Sequence, residues 1–244
     1  MALLLAAMLQ ACKKDNPAGS ELQVMAGYCY IYDVNSERLI DNSGITVALA
    51  DGKAQALTTE NGKWSLGGIE AGRHTLVFSK PGYGGYKVFN KNFVGGYQFA
   101  DTVYLYPLPE YTVSLSPATE SHEGWVSIFG YFSGELPANP GCHLFFGKDS
   151  TVTGTQPKYL YEFLMGMPYT TPGVVFQIAF SNEPLYEKGF KPGDTMYIAA
   201  CSDFVNTEHY NSHPTVSYFD EELQQTIFPN LKASPAKPLC VVLK

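Results

Sequence analysis

Apolar and polar residues alternate along most of this chain in short runs separated by glycine- and proline-containing turns. Ile45, Val47 and Leu49, for example, fall on one face, because strand side chains repeat with a period of two. The Asp-Gly pair at 51–52 and the Asn-Gly pair at 61–62 indicate tight corners, where glycine accepts a positive φ. Such runs, about 8 to 12 residues apart, are typical of β-sandwiches.

Composition supports the same fold class. Apolar residues make up 45% of the 244 residues and charged residues only 16%, which favours a packed core over disorder. The 17 tyrosines suit half-buried strand faces, while 23 glycines and 16 prolines suit turns. The length fits two domains of ordinary size. We therefore predict an all-β protein of two tandem β-sandwich domains, with helix a minor component.

The first domain is predicted over residues 24–108. Its turn and strand residues keep a fixed order: Gly44, Ile45 and Val47; Thr59 with Asn61-Gly62-Lys63-Trp64; Leu66 and Ile69; Gly72, His74 and Leu76; Gly82-Tyr83. This order resembles the carboxypeptidase regulatory-domain-like family, which implies a transthyretin-like sandwich of seven strands. Members of that family usually serve as stalks, spacers or docking modules, so the resemblance implies no chemistry.

The second domain is predicted over residues 109–244, after the prolines at 107 and 109. Strand patterns follow at 111–115, 125–132, 143–146, 159–164, 174–180, 190–200 and 239–243. The Pro192-Gly193 turn before Tyr197 resembles a strand entry of fibronectin type III/Ig-like domains, which implies Tyr197 as the corner tyrosine. Residues 204–238 form an insertion before the last strand, with a predicted ribbon of residues 215–218 against 226–228.

The amino terminus carries an apolar run at residues 3–9, far shorter than the roughly 20 residues that span a bilayer as a helix. Residues 1–11 are therefore predicted to be a signal peptide. The segment Leu9-Gln10-Ala11-Cys12 resembles the lipobox of bacterial lipoproteins, which implies lipid on Cys12. Residues 12–23 are polar and rich in turn formers, which predicts a flexible tether. The start Cys12-Lys13-Lys14-Asp15 is similar to that of lipoproteins sent to the outer membrane, which implies a place on its periplasmic face or at the cell surface. A buried apolar strand with a chance cysteine is the alternative.

The other cysteines are Cys29, Cys142, Cys201 and Cys240. An oxidising compartment permits disulfides, and we expect Cys201 to pair with Cys240, because both fall in late strands of the second domain. Free buried thiols, which behave as small apolar residues, remain the alternative.

Residues that could support catalysis or metal binding are few. His209 and His213 have the spacing of two ligands on one helical face, but Asn211 and Pro214 disfavour a helix there, so a surface loop is expected and no metal. No Gly-x-Ser-x-Gly elbow or phosphate-binding loop occurs, and we predict neither a catalytic residue nor a cofactor. The net charge of −7 without a basic patch argues against nucleic acid as a partner.

Tyrosines are the more informative pattern. Tyr28, Tyr30 and Tyr32 alternate with Cys29 and Ile31 along one predicted strand. Another strand repeats the pattern, with Tyr104 and Tyr106 opposite Val103 and Leu105. If the apolar residues face the core, the five tyrosines point outward as a binding face for protein or glycan. Packing against the second domain, or stacking along the sheet, is the other interpretation.

These observations lead to three function hypotheses. The first is a non-catalytic, envelope-anchored lipoprotein that acts as a binding, spacer or assembly module and contacts the membrane through its lipid. The second is a carbohydrate-binding accessory lipoprotein of a glycan-uptake system, using the tyrosine face or the insertion. The third is a hydrolase with an unfamiliar site, which would require a cleft with converging Glu and His side chains.

Overall fold

The computed structural model describes residues 23–117, 123–137, 140–154, 159–166, 175–204, 217–234 and 236–244. Regular structure in these ranges is almost entirely β, in several sheets, which confirms the predicted all-β fold of tandem sandwiches. The strands of the first sandwich are Val24–Ile31 (β1), Thr46–Leu49 (β2), Gln55–Leu57 (β3), Lys63–Gly67 (β4), Gly72–Ser79 (β5), Tyr86–Phe93 (β6), Tyr97–Phe99 (β7) and Val103–Leu105 (β8).

Two four-stranded sheets face each other in the first sandwich. One has the order β3-β2-β5-β6, and in the other β1 lies between β4 and the pair β7 and β8. Strand β7 pairs in parallel with the first residues of β1, and β8 pairs in parallel with its last residues. The two short strands thus share one edge of β1 and together occupy the place of a single strand. The first sandwich therefore has eight strands in the seven strand positions of the expected sandwich.

Trp64 lies at the centre of the first core. Its indole is fully buried and meets Phe78 edge to face, with ring centroids 5.8 Å apart. Gly27 lies directly against it, because a β-carbon built there would approach Cζ2 of the indole to 2.8 Å. Any larger residue at position 27 would therefore displace the tryptophan.

In its described ranges, the second sandwich contains ten strands and one short helix. They are Thr112–Pro117 (β9), Trp125–Ser133 (β10), Pro140–Gly147 (β11), Tyr161–Gly166 (β12), Val175–Ser181 (β13), Glu183–Glu187 (α1), Thr195–Phe204 (β14), Tyr218–Asp220 (β15), Gln225–Ile227 (β16), Lys232–Ala233 (β17) and Leu239–Val242 (β18). Sheet β13-β10-β9 packs on sheet β12-β11-β14, whose far edge is shared by β17 and β18.

Tyr111 ties three segments of the second sandwich together. Its buried hydroxyl accepts a hydrogen bond from the Gly141 N–H (2.7 Å) and donates one to the Asp203 carbonyl oxygen (2.6 Å), and burial raises its pKa. The Ser202 hydroxyl donates to the Tyr111 carbonyl at 2.8 Å. The tyrosine that joins backbone segments is thus Tyr111, whereas Tyr197, the expected corner residue, packs among apolar side chains on the outer face of β14.

The insertion contains a ribbon, the hairpin β15–β16, with Tyr218 opposite Ile227. Its second strand is close to the predicted 226–228, but its first strand begins at Tyr218, where the predicted one ends, and residues 215–216 lie outside the described ranges. The hairpin packs on β6 of the first sandwich. The Tyr218 ring lies 5.0 Å from that of Tyr86, and the Lys87 ammonium lies 3.1 Å from the buried Asp220 carboxylate. The Asn90 amide also donates to Glu221. The insertion therefore braces the two sandwiches against each other.

The expected disulfide between Cys201 and Cys240 is wrong. All four cysteines in the described ranges are free thiols. Cys240 lies opposite Tyr197 on β14, four residues from Cys201. At about 3.3 Å per strand residue the two positions are about 13 Å apart, about twice the span of a disulfide. Cys201 is a buried thiol, and Cys240 is exposed.

Replacing Gly84 with alanine should loosen the brace. A β-carbon at position 84 would lie 2.5 Å from the Pro229 carbonyl oxygen and 2.0 Å from Oδ1 of Asn230, so the insertion must move. We expect Gly84→Ala to lower the free energy of unfolding by about 1–3 kcal/mol and to speed proteolysis within residues 217–234. Gly85→Ala is the matched control, since its β-carbon would meet only the Phe78 carbonyl at 3.6 Å. Equal behaviour of both variants would contradict the brace.

Candidate functional site

The tyrosines of β1 and β8 point away from the first core. Cys29 and Val103, which alternate with them, are at most 2% exposed and lie in the core. Tyr30 and Tyr104, directly opposite each other in the parallel ladder, lie on the other face of the sheet with Tyr28. Period-two alternation on a single strand thus places core and tyrosines on opposite faces.

The tyrosine rings stack along the sheet. Tyr28 and Tyr30 have nearly parallel planes with centroids 5.9 Å apart, and Tyr30 lies 6.1 Å from Tyr104. Tyr104 lies 5.9 Å from Tyr32, which in turn stacks on Tyr106 at 5.0 Å. Stacking along the sheet, one of the two interpretations of the tyrosine pattern, is therefore present. It pre-organises the rings. Tyr32 and Tyr106 are buried against each other, so the expectation that all five tyrosines form an exposed face is wrong for these two.

Two further aromatic residues extend this row and were missed from the sequence. Strand β7 places Tyr97 opposite Val24 and Phe99 opposite Ala26, on the same outer face. The Phe99 side chain is 53% exposed, and its ring lies 5.9 Å from Tyr28. The spacing of Tyr97 and Phe99 is a strand signal, but a three-residue strand is too short to predict its parallel partner. We call these seven residues the aromatic strip: Tyr28, Tyr30, Tyr32, Tyr97, Phe99, Tyr104 and Tyr106.

A cation lies over the middle of the aromatic strip. The Arg38 guanidinium carbon is 4.7 Å from the Tyr30 ring centroid, a cation–π contact, and Arg38 bridges to Tyr32 across the strand edge. Burial, aided by the neighbouring Tyr104 hydroxyl, raises the pKa of Tyr32. Tyr32 therefore keeps its phenolic proton at neutral pH and remains a hydrogen-bond donor.

A polar groove adjoins the strip. It is an open depression of about 500 Å³ lined by Ile40, Thr59, Glu60, Asn61 and Lys63. Lys63 lies directly opposite Tyr28 in the ladder with β1, so its side chain shares the outer face. A β-carbon on Gly62 would lie 2.9 Å from the Tyr30 ring, which shows how closely this turn approaches the strip.

A second cluster is buried in the other sandwich, on the outer face of β11. His143 Nδ1 lies 3.1 Å from an Asp203 carboxylate oxygen. On the other side of the ring, Nε2 lies 3.4 Å from a Glu162 carboxylate oxygen, a distance typical of an ion pair. The rings of Phe145 and Phe228 lie 4.4 and 4.5 Å from the imidazole. Burial lowers the pKa of His143, but the two carboxylates outweigh it, and the net shift is upward.

This cluster contains the elements of nucleophilic catalysis but not their geometry. Cys201 lies directly opposite His143 in the ladder, yet both imidazole nitrogens face carboxylates. In the charged state that the two carboxylates favour, the imidazole has no lone pair to accept a thiol proton. Burial raises the pKa of Cys201 to about 11, which keeps the sulfur protonated. The arrangement is that of a buried ion cluster that holds Phe228 of the insertion.

Several residues singled out in the sequence lie outside the described ranges, namely Cys12, His209 and His213. In the ranges that are described, no group of three or more His, Cys, Asp and Glu side chains is arranged to hold a metal ion. From residue 23 onward, no described helix is long and apolar enough to cross a bilayer.

No protein-family model matches this chain, and no curated protein matches it. Solved structures do. A DUF3823 family protein from Bacteroides uniformis is 10% identical, with 91% of this chain and 100% of that chain covered and a TM-score of 0.35. A DUF3823 family protein from Bacteroides ovatus is 13% identical over the same shares, also at 0.35. A candidate carbohydrate-binding protein from Bacteroides uniformis is 14% identical, covering 90% and 99%, at 0.31.

A cohesin-X-dockerin complex from Acetivibrio cellulolyticus also matches, at 17% identity and a TM-score of 0.30. That match covers 35% of this chain and spans 58% of the other. At such identities and scores, these structures are neighbours of an all-β chain and carry no argument about what it binds.

The His143 cluster should make stability depend on pH. The pKa of His143 in the folded protein lies above its ordinary value of 6.5, so the charged imidazole stabilises the fold fully below that pH, and the contribution is lost as pH rises through the folded-state pKa. We expect the gap in unfolding free energy between wild type and His143→Gln to be widest near pH 6 and to shrink in alkali. Urea titrations from pH 5.5 to 9 measure this gap.

His74→Gln is the matched control for these titrations, because the His74 ring bonds the backbone oxygen of Glu70 instead of a carboxylate. A gap for His143→Gln that stays constant with pH would contradict the charged cluster.

Proposed function

We propose that this protein is a non-catalytic binding module anchored by lipid at the envelope of a Gram-negative bacterium. The observation that carries the proposal is the aromatic strip, which presents five exposed or half-buried rings on the outer face of the sheet: Tyr28, Tyr30, Tyr97, Phe99 and Tyr104. Amphipathic rings whose positions are fixed by stacking lose little entropy on binding, which is why tyrosine is enriched at contact surfaces. The two sandwiches, transthyretin-like and fibronectin type III-like in this proposal, serve as the stalk.

The braced architecture supports a role in contact or spacing. Contacts such as Tyr218 with Tyr86 and Lys87 with Asp220 join the sandwiches at a second place besides the chain connection. A two-point connection limits the swing of one module on the other, as a spacer or assembly module requires. The histidine cluster adds no competing chemistry, since its imidazole faces two carboxylates.

The second candidate function is that of a carbohydrate-binding accessory lipoprotein in a glycan-uptake system. The polar groove beside the aromatic strip favours it. Exposed rings next to hydroxyl, amide, carboxylate and ammonium groups are the combination that recognises sugars, which have apolar ring faces and polar rims.

Anchoring is tested at Cys12. In cells fed an alkyne-tagged fatty acid, we expect the wild-type protein to carry the label and to sediment with the outer membrane. Cys12→Ser should lose the label and appear in the soluble fraction, while Cys29→Ser, at a buried position, should stay labelled and membrane-bound. An unlabelled, freely soluble wild-type protein would overturn the lipoprotein proposal.

Binding is tested on the strip. Tyr30→Ala and Tyr104→Ala in the full-length, detergent-solubilised protein should reduce its retention on immobilised envelope material from cells lacking the protein. Truncation of a central aromatic residue costs about 2 kcal/mol or more, so affinity should fall by about thirtyfold or more. Tyr131→Ala, an exposed tyrosine on β10, is the matched control. Unchanged retention with an intact far-ultraviolet spectrum would remove the aromatic strip from the proposal.

A further inference from the structure

The aromatic strip has its most accessible rings at the end where β1 begins. Phe99 is about half exposed, and Tyr28 beside it is half-buried. At the other end, Tyr32 and Tyr106 are buried against each other. A ligand that stacks on rings therefore meets Tyr28 and Phe99 first.

The groove lies beside Tyr28 on the β4 edge of β1, across this strand from Phe99. Lys63, in its lining, is the cross-strand partner of Tyr28, which places the ammonium on the same face within reach of a molecule stacked there. The groove is shaped by two hydrogen-bonded loops, since the Asn42 N–H donates to the Glu60 carbonyl at 2.8 Å. Asn42 itself is buried, and its side-chain oxygen accepts from the Ile31 N–H. The walls are thus fixed before any ligand arrives.

We propose that Tyr28, Phe99 and the adjoining groove form one binding site for a neutral glycan chain. A pyranose ring stacks on Tyr28 and Phe99 through its C–H face, and hydroxyls of the same or the next sugar bond Glu60, Lys63 and the other polar groups of the groove. This proposal rests on the second candidate function, carbohydrate binding, and adds to it the class of ligand and the place where the ligand binds.

The charged residues of the site favour an uncharged ligand. Glu60 and Lys63 stand in the same groove with opposite signs, so a carboxylated sugar gains from one and is repelled by the other. Arg38 already lies over the Tyr30 ring. The chain as a whole has a net charge of −7, which disfavours the approach of a polyanion. Uncharged hydroxyls can donate to Glu60 and accept from Lys63 simultaneously.

Size and polarity favour a glycan over a protein partner at this position. The groove is an open depression whose volume of about 500 Å³ is within the roughly 300–1,000 Å³ of small-molecule sites, so a chain of sugars can lie along it. Four of its five lining residues are polar or charged. The fully buried centre of a stable protein interface is instead apolar and depleted of charge. Only Ile40, 92% exposed, offers an apolar rim.

The test uses the full-length protein in detergent micelles and four polysaccharides as probes: dextran, pullulan and laminarin, which are neutral, and polygalacturonate, which is acidic. Affinity electrophoresis and titration calorimetry measure retardation and affinity. We expect saturable binding to at least one neutral probe and none to polygalacturonate. Tyr28→Ala and Phe99→Ala should weaken the affinity by about tenfold, and Lys63→Ala and Glu60→Gln by about threefold or more.

Tyr131→Ala is again the matched control and should bind like wild type, and circular dichroism verifies the fold of each variant. Absence of binding to all neutral probes, or binding unchanged by Tyr28→Ala and Phe99→Ala, overturns the proposal. So does a preference for polygalacturonate. If sugar binding is absent while Tyr30→Ala and Tyr104→Ala still lose envelope retention, the glycan site fails and the contact role stands. If sugar binding is absent and Tyr30→Ala and Tyr104→Ala retain full envelope binding, both the glycan site and the contact role of the aromatic strip are overturned.

Discussion

Strand β1 is the element on which the first sandwich and its surface both depend. Its inward residues, Cys29 and Ile31 among them, are buried in the core, and its outward residues begin the aromatic strip. Because side chains repeat with a period of two, core and surface cannot shift independently: a slip of one residue would place every tyrosine in the core. Packing around Trp64 therefore fixes the position of the outer rings.

The parallel pairing of β7 and β8 with β1 places further aromatic side chains beside the outward tyrosines of β1. Without its neighbours, β1 and the residue after it would present Tyr28, Tyr30 and Tyr32 in a single row, with no aromatic ring on either side. Strand β8 brings Tyr104 beside Tyr30, and β7 brings Phe99 beside Tyr28. On the opposite edge, the turn before β4 brings Lys63 and the polar groove. Rigid aromatic rings and hydrogen-bonding groups thus meet along one strand, which is the physical basis for proposing a contact surface.

The second sandwich holds the insertion in place by different means. His143 and its carboxylate partners lie under Phe228, so a buried charge cluster and an aromatic contact fix the far side of the insertion. The near side meets the first sandwich through Tyr218 and Asp220. Burial of charge is costly unless the charges are paired, and here the imidazole pairs with two acids. The insertion is thus part of the architecture as well as a candidate surface.

The sequence by itself determined the all-β class, most of the strands, the place of a ribbon in the insertion and the outward direction of Tyr28, Tyr30 and Tyr104, because strand periodicity and turn chemistry are local properties. It could not predict β7, the groove or the His143 cluster, since these depend on residues far apart in the chain: Phe99 meets Tyr28, and His143 meets Asp203. For the same reason it misassigned the Cys201–Cys240 pair, two thiols in neighbouring strands but out of register. Only the tertiary structure decided register, and register decides which side chains meet.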